Sequence, residues 1–271
     1  MHNVLIFGFG YTAQFIAKTN LNVIGTTRNK TQNPALIAFK PGAIATALTN
    51  PKHIIISIAP ELEHDPVLTA FTDILHKYSK HILSIVYLSS TGVYGNHFGN
   101  WVDENSATNA GQARLVAEQQ WQNFAQNNHL PLTILRLAGI YGPQRNIISR
   151  IKAGKHDTTV KHGHFFSRIH VEDIAQVVFA VINEVKPGIR IYNIADDEPA
   201  PSYVVDNYAA QLLHTSLQQV PYEQALLTPM AQEFYRQNKR INNQKMKTEL
   251  KINLLYPSYR EGLRSLLTCP S

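Results

Sequence analysis

Short unbroken apolar runs recur along the chain, separated by stretches in which apolar side chains return every three or four positions. Val4 to Phe7 is the first run, and it is followed by "LNVIGTTRN" (21–29), "HIIISIAP" (53–60), "HILSIVYLSSTGVYG" (81–95), "LPLTILRLAGIYGP" (130–143) and "GIRIYNIADDEP" (188–199). Continuous rather than alternating hydrophobicity suits strands buried on both faces of a parallel sheet. Between these runs, residues 11–20 read as a short helix and "ATNAGQARLVAEQQWQNFAQNN" (107–128) as a long one, with Leu115, Val116, Trp121 and Phe124 at apolar spacing. "RIHVEDIAQVVFAVINE" (168–184) opens as a strand and becomes a helix. Such βαβ alternation predicts an α/β fold, a Rossmann-like doubly wound parallel sheet followed by a small C-terminal lobe. The expected division places residues 1–145 in the nucleotide-binding domain, with 165–198 returning to its sheet, and 146–164 and 199–271 in the smaller substrate lobe.

Immediately after the first strand, "GFGYTA" fits a G-x-G-x-x-G/A pattern in its proper strand–turn–helix context. Gly8 permits the tight turn, Gly10 lets a pyrophosphate approach the backbone, and Ala13 is small enough for helix and strand to pack closely. Phe9, Tyr11 and Thr12 complete the loop, whose free amides would meet phosphate oxygens. About twenty residues on, where a carboxylate would take the ribose 2′-hydroxyl of NAD, the chain has Thr26, Thr27 and Arg28 and no acid before Glu61. Arginine suits a 2′-phosphate, so NADP is expected over NAD. The ends of later strands lie at the same sheet edge, which adds Ile58, Ala59, Pro60, Ser89, Ala138 and Gly139 to the expected cofactor contacts.

Composition narrows the classes. With 271 residues, 44% hydrophobic and 16% charged, the chain can bury a sizeable core. Its only cysteine, Cys269, excludes an internal disulfide framework. No apolar run reaches the roughly eighteen residues of a membrane span, and no basic region precedes the first strand, so no membrane association or signal peptide is expected and the cytoplasm is the expected compartment. The net charge of +6 has two basic stretches behind it: residues 145–170, which hold Arg145, Arg150, Lys152, Lys155, Lys161 and Arg168 against one acid, Asp157, and a second from Arg236 to Lys251, neither of them a dense run. Without interleaved aromatics or a recognition motif the first stretch reads as a lobe that attracts a small anionic substrate rather than nucleic acid. "HGH" (162–164) lacks further ligands at metal-binding spacing, so no metal is expected.

Taken in order, "GFGYTA", "SSTGVYG", "LRLAGIYGP", "RIHVEDIA" and "YNIADDEP" resemble the extended short-chain dehydrogenases/reductases, the NAD(P)-dependent epimerase/dehydratase branch, and the tail is similar to that of an atypical subgroup. The resemblance runs from residue 3 to about 200. It implies a Rossmann domain that binds NAD(P), a substrate lobe made from C-terminal segments, and a Ser/Thr with a Y-x-x-x-K pair as the catalytic set. There the tyrosine transfers a proton, the lysine lowers its pKa and holds the nicotinamide ribose, and the serine orients the substrate hydroxyl. Ser90 matches the serine. Aligning "RLVAE" with the family's usual "KLAAE" puts Arg114 at the lysine and Ala110 at the tyrosine, and alanine transfers no proton.

Another proton donor is then required, and Tyr94 and Tyr141 are the candidates because each follows a strand end facing the cofactor edge. Where the family commonly carries an arginine, this chain has Phe166; Arg168 points to the same face of an extended segment and, with Arg145, His170, Ser90 and Tyr141, forms the expected substrate set. Two functions fit: an NADP-binding oxidoreductase or epimerase/dehydratase acting on a small anion such as a nucleotide sugar, or a catalytically impaired NADP(H) sensor. A monomer or homodimer is expected.

Overall fold

The computed structural model describes residues 2–29, 32–61, 63–109 and 111–267, the side chain of Met230 excepted; Ala110 and Cys269 lie outside the described residues. The chain opens with β1 (His2–Phe7), α1 (Tyr11–Ile16) and β2 (Leu21–Thr27). α1 stops short of the expected residue 20: the Lys18 and Thr19 amides bond only three residues back, to the Phe15 and Ile16 carbonyls, and the Leu21 amide turns to the Thr19 carbonyl, so the last turn tightens and the helix ends. Next come β3 (Leu36–Ala38), α2 (Pro41–Ala47), β4 (Lys52–Ile56) and α3 (Pro66–Lys77). Proline in the first turn starts both helices, and the buried Asp65 side chain caps α3 by accepting from the amides of Val67 and Leu68.

β5 (Ile82–Ser90) runs into a 3-10 turn at Thr91–Tyr94, and β6 (Trp101–Val102) follows. α4 (Ala113–Asn127) starts later than the expected 107, since Gly111 has a φ of +89° and the Asn109 amide donates to the Val93 carbonyl at 2.7 Å, which takes the lead-in out of helical geometry. The expected fifth strand is two strands, β7 (Leu132–Leu137) and β8 (Gly139–Tyr141). The remaining elements are α5 (Ile147–Lys152), β9 (Asp157–Val160), β10 (Arg168–His170), α6 (Val171–Asn183) and β11 (Ile189–Ile194). α7 (Ser202–Leu212), β12 (Gln218–Pro221), α8 (Pro229–Arg236), β13 (Arg240–Ile241), α9 (Gln244–Leu250) and α10 (Tyr259–Ser265) complete the described chain.

The main sheet has seven strands in the order β11-β7-β5-β4-β1-β2-β3, and β2 and β4 both pair parallel to β1. The winding direction therefore reverses at β1, which makes its carboxyl end a topological switch point. β4 and β7 are buried along their whole lengths, including the polar residues His53 in β4 and Thr133 and Arg136 in β7. The sheet is the expected Rossmann-like α/β architecture.

The residues group into two compact units. The first comprises Met1–Val93, Thr108–Arg136 and Ile174–Tyr192, and the second Tyr94–Ala107, Leu137–Asp173 and Asn193–Ser271. Residues 94–107, 137–145, 165–173 and 193–198, expected in the nucleotide-binding domain, thus group with the second unit. The physical reason is visible at Ala138: beyond it, β8 pairs with β10 in a separate two-stranded sheet. Leu5, Phe7, Ile56, Phe71, Tyr87 and Trp121 belong to the core of the first unit. Tyr141, Ile148, Val205, Ala209, Tyr259 and Leu263 belong to that of the second. No helix among the described residues is long and apolar enough to cross a membrane.

His53 lies inside β4, 3% exposed, and its Nδ1 hydrogen-bonds with Ser84 Oγ at 2.9 Å. Burial, helped by the charge of His2, holds its pKa down at about 4. The unfolded chain protonates this histidine near its ordinary value of about 6.5, so it binds more protons than the native state as pH falls from that value toward 4, and stability is lost over that window. His53→Gln removes the titration. The difference in unfolding free energy between pH 7 and pH 5 is expected to shrink by about 2 kcal/mol relative to the parent. Urea melts at both pH values check this, and an unchanged difference would contradict it.

Candidate functional site

The loop at the switch point is built by contacts within the first unit. Gly8 has a φ of +89°, and a Cβ there would lie 2.6 Å from Ile58 Cγ1 and 3.2 Å from the Ile58 amide, so only glycine lets the chain pass the end of β4. Its amide donates to Thr26 Oγ1 at 2.9 Å, and the Phe9 amide donates to the Thr26 carbonyl at 3.2 Å. The Phe9 ring fills the place a side chain at Gly25 would take. Gly10, by contrast, is exposed in extended geometry at the N-cap of α1, and a Cβ there meets nothing within 4 Å. Nothing in the fold requires glycine at Gly10, whereas a phosphate drawn up to the helix amides would. Thr12 and Ala13 are buried behind the loop, and Tyr11 packs on Phe15 with ring centroids 5.2 Å apart. Ile58 and Pro60 are half-buried and Ala59 is exposed. Past β2, the Thr27 hydroxyl accepts from the Asn29 amide at 3.1 Å, and Arg28 is exposed.

At the end of β5 the first unit brings Ser89, Ser90 and Arg114 together, though not with the roles expected of all three. The Ser90 hydroxyl accepts from the Gly92 amide at 3.0 Å and is half-buried. Ser89 is 3% exposed, and its hydroxyl donates to Glu118 Oε1 at 2.5 Å, so any contact of Ser89 with a cofactor falls to its backbone. Glu118 is itself fully buried and accepts from Arg136 Nε at 3.1 Å and Nη2 at 2.8 Å. Arg114 Nη1 donates to the Leu88 carbonyl at 2.9 Å, which turns the guanidinium onto the strand backbone rather than leaving it as a free lysine substitute. It stands in the first turn of α4, and Ala110, the residue at the tyrosine place, lies outside the described residues.

In the second unit the β8–β10 register sets Gly139 opposite Arg168 and Tyr141 opposite His170. Their side chains are largely committed to structure. Tyr94 is 2% exposed and its hydroxyl donates to Asn193 Oδ1 at 2.7 Å. Tyr141 donates to the Ser258 carbonyl at 3.4 Å, and burial, reinforced by the charges of Asp196 and Asp173, pushes its phenol well above the usual tyrosine range. A catalytic tyrosine needs the opposite shift from that of Tyr141, and the Tyr94 hydroxyl is engaged by Asn193. Arg168 spends Nη1 on the carbonyls of Phe166 and Ala200, at 2.9 and 3.0 Å. His170 is 1% exposed, packs 3.9 Å from the Tyr256 ring, and is held neutral by burial, its pKa lowered to about 4. The Ala138 amide donates to the Ile194 carbonyl and that of Gly139 to the Ser167 carbonyl. Arg145 is exposed, as are Arg150 and Lys152 nearby in sequence. A groove of about 300 Å³ lined by Asn146, Ser149 and Lys152 among others takes in none of Tyr141, Arg168 or His170.

Glu118 and Arg136 escape the motif reading, as does the part Thr26 plays in holding the Gly8 and Phe9 amides. Glu118 had a local signal: an acid three residues before Trp121 falls on the apolar face of its helix, where a carboxylate needs a partner.

Residues 65–195 match the model of the NAD dependent epimerase/dehydratase family. A functionally unknown conserved protein from Silicibacter pomeroyi DSS is 41% identical over 98% of each chain, with a TM-score of 0.87. Protein YeeZ of Escherichia coli K12 is 32% identical over 126 residues, 45% of this chain, and the match spans only 42% of YeeZ. At the level of fold, UDP-N-acetylglucosamine 4-epimerase from Bacillus cereus (16% identity, 98% of each chain, TM-score 0.77) is similar. So is the human epimerase family protein SDR39U1 with NADPH (13% identity, 97% of this chain and 98% of that one, TM-score 0.74). With the glycine loop at the switch point of a parallel sheet, the chain carries the NAD dependent epimerase/dehydratase family domain over residues 65–195 and shares the fold of the epimerases and dehydratases.

Proposed function

We propose that the chain binds NADP(H) in preference to NAD(H) and uses it in oxidoreductase or epimerase/dehydratase chemistry on a small anionic substrate such as a nucleotide sugar. The observation that carries this reading is the switch-point loop, in which Gly10 offers an open face at the start of α1 and Arg28 stands exposed just past β2. The cofactor supplies hydride transfer. The amides at the start of α1, from Gly10 to Ala13, receive its pyrophosphate, while those of Gly8 and Phe9 stay on Thr26 and hold the loop, and the Arg28 guanidinium takes the 2′-phosphate in a charge-assisted pair that a 2′-hydroxyl does not form.

Proteins of the same fold hold NADPH, as human SDR39U1 does, or NAD, as dTDP-glucose 4,6-dehydratase from Bacillus anthracis does, so the preference for NADP rests on Arg28; the Bacillus cereus UDP-N-acetylglucosamine 4-epimerase is the precedent for a nucleotide-sugar substrate. Ser90 keeps its hydroxyl near the end of β5 and orients the substrate hydroxyl. Taken by itself, the second unit carries exposed Arg145, Arg150 and Lys152, a surface that attracts anions. Tyr94 and Tyr141 are not assigned the proton transfer, because their hydroxyls are bound and Tyr141 is hard to ionise.

Arg28→Ala is expected to cost NADPH binding about 1.5–3 kcal/mol and to leave NADH binding nearly unchanged. Calorimetric titration with both cofactors measures this, and equal affinities of the parent protein for NADPH and NADH would overturn the preference.

A further inference from the structure

We propose that Glu118 and Arg114 are positioning residues for Ser90, an inference that rests on the reading of Ser90 as the hydroxyl that orients substrate. They stand four positions apart on α4, hence on one face, and they hold successive residues of β5. Arg114 Nη1 donates to the Leu88 carbonyl at 2.9 Å, and Ser89 Oγ donates to Glu118 Oε1 at 2.5 Å. Arg136 fixes the carboxylate in turn, with Nε on Oε1 at 3.1 Å and Nη2 on Oε2 at 2.8 Å.

Successive side chains of a strand point to opposite faces. With the Ser89 side chain held toward α4, that of Ser90 is directed to the other face, where its Oγ accepts from the Gly92 amide at 3.0 Å. A buried ion pair is an inefficient way to fasten a helix to a sheet, since apolar side chains of the same volume hold it at least as firmly. What apolar side chains do not do is choose the direction in which a serine hydroxyl turns. The face of α4 that carries Arg114 and Glu118 is thus used to set the strand end on which Ser90 sits.

The Gly92 amide reports the Ser90 hydroxyl directly, because it donates to it, and its resonance and hydrogen exchange can be followed by NMR on the full chain. Ser90→Ala defines the signal of a lost acceptor. Ser89→Ala and Glu118→Gln are expected to move the Gly92 amide toward that signal and to speed its exchange about tenfold, with β1 and β2 amides unaffected. Ser89→Thr, which keeps the donor, is expected to restore the parental value. If the Gly92 amide stays at its parental shift and exchange rate in Ser89→Ala, whatever happens to the melting temperature, the network is a fastener only and the proposal falls. NADPH titration of the parent and of Ser90→Ala is read separately, so failure of the cofactor or Ser90 reading is told apart from failure of the clamp.

Discussion

Gly10→Val is expected to abolish binding of both NADPH and NADH while the protein stays folded. The two halves of this result come from different facts. A Cβ at Gly10 meets no protein atom within 4 Å, and the residue has φ −90° and ψ −160°, a conformation open to any side chain. Valine is a poorer N-cap than glycine by less than about 1 kcal/mol, so the melting temperature is expected to move by no more than about 4 °C. The isopropyl group would meanwhile occupy the space the pyrophosphate needs, a steric conflict expected to weaken either cofactor at least about 100-fold. Calorimetry on the folded variant decides the matter: parental affinity would show that this loop does not hold phosphate. Gly8 offers the opposite control. Its φ of +89° and the approach of Ile58 make any substitution there a defect of folding as well as of binding.

Arg136→Met is expected to be the most destabilising single change in the first unit. Arg136 is 4% exposed and Glu118 is fully buried, so removing the guanidinium leaves a desolvated carboxylate with only the Ser89 hydroxyl as partner. Breaking such a pair from one side costs about 3–5 kcal/mol, whereas replacing both members by apolar side chains is often close to neutral. The double variant Arg136→Met with Glu118→Leu is therefore expected to recover most of the loss. Trp121 is buried in the same core, so urea melts followed by its fluorescence in a Trp101→Phe background report on this unit. A single variant that loses less than about 1 kcal/mol, or a double variant no better than the single, would contradict this account.

Much of the first unit is legible along the chain because its determinants are local. Val4 to Phe7, the glycines of "GFGYTA" and the missing acid after β2 are readable residue by residue, and the strand, the turn and the loop stand where that reading puts them. The true start of α4 is not legible, because apolar periodicity does not register that Gly111 turns to positive φ and that the Asn109 amide finds its partner at Val93. The break within 130–143 is not legible for a related reason: one apolar stretch serves two sheets, and nothing local marks Ala138 as the point of departure.

For the candidate site the division is sharper. Sequence alone determined the chemistry available: a glycine loop, an arginine in place of an acid after β2, a serine at the end of β5 and two tyrosines near strand ends. Only the tertiary structure decided what each group spends that chemistry on. Arg114 is a cation in the sequence and a backbone clamp in the fold, and Tyr94 and Tyr141 are phenols in the sequence and structural donors in the fold. The acceptors that claim these groups, Leu88 for Arg114, Asn193 for Tyr94 and Ser258 for Tyr141, lie 26, 99 and 117 residues away along the chain. A side chain's type fixes how many hydrogen bonds it can make, but burial leaves each donor obliged to the nearest acceptor, and folding brings that acceptor from a distant part of the chain.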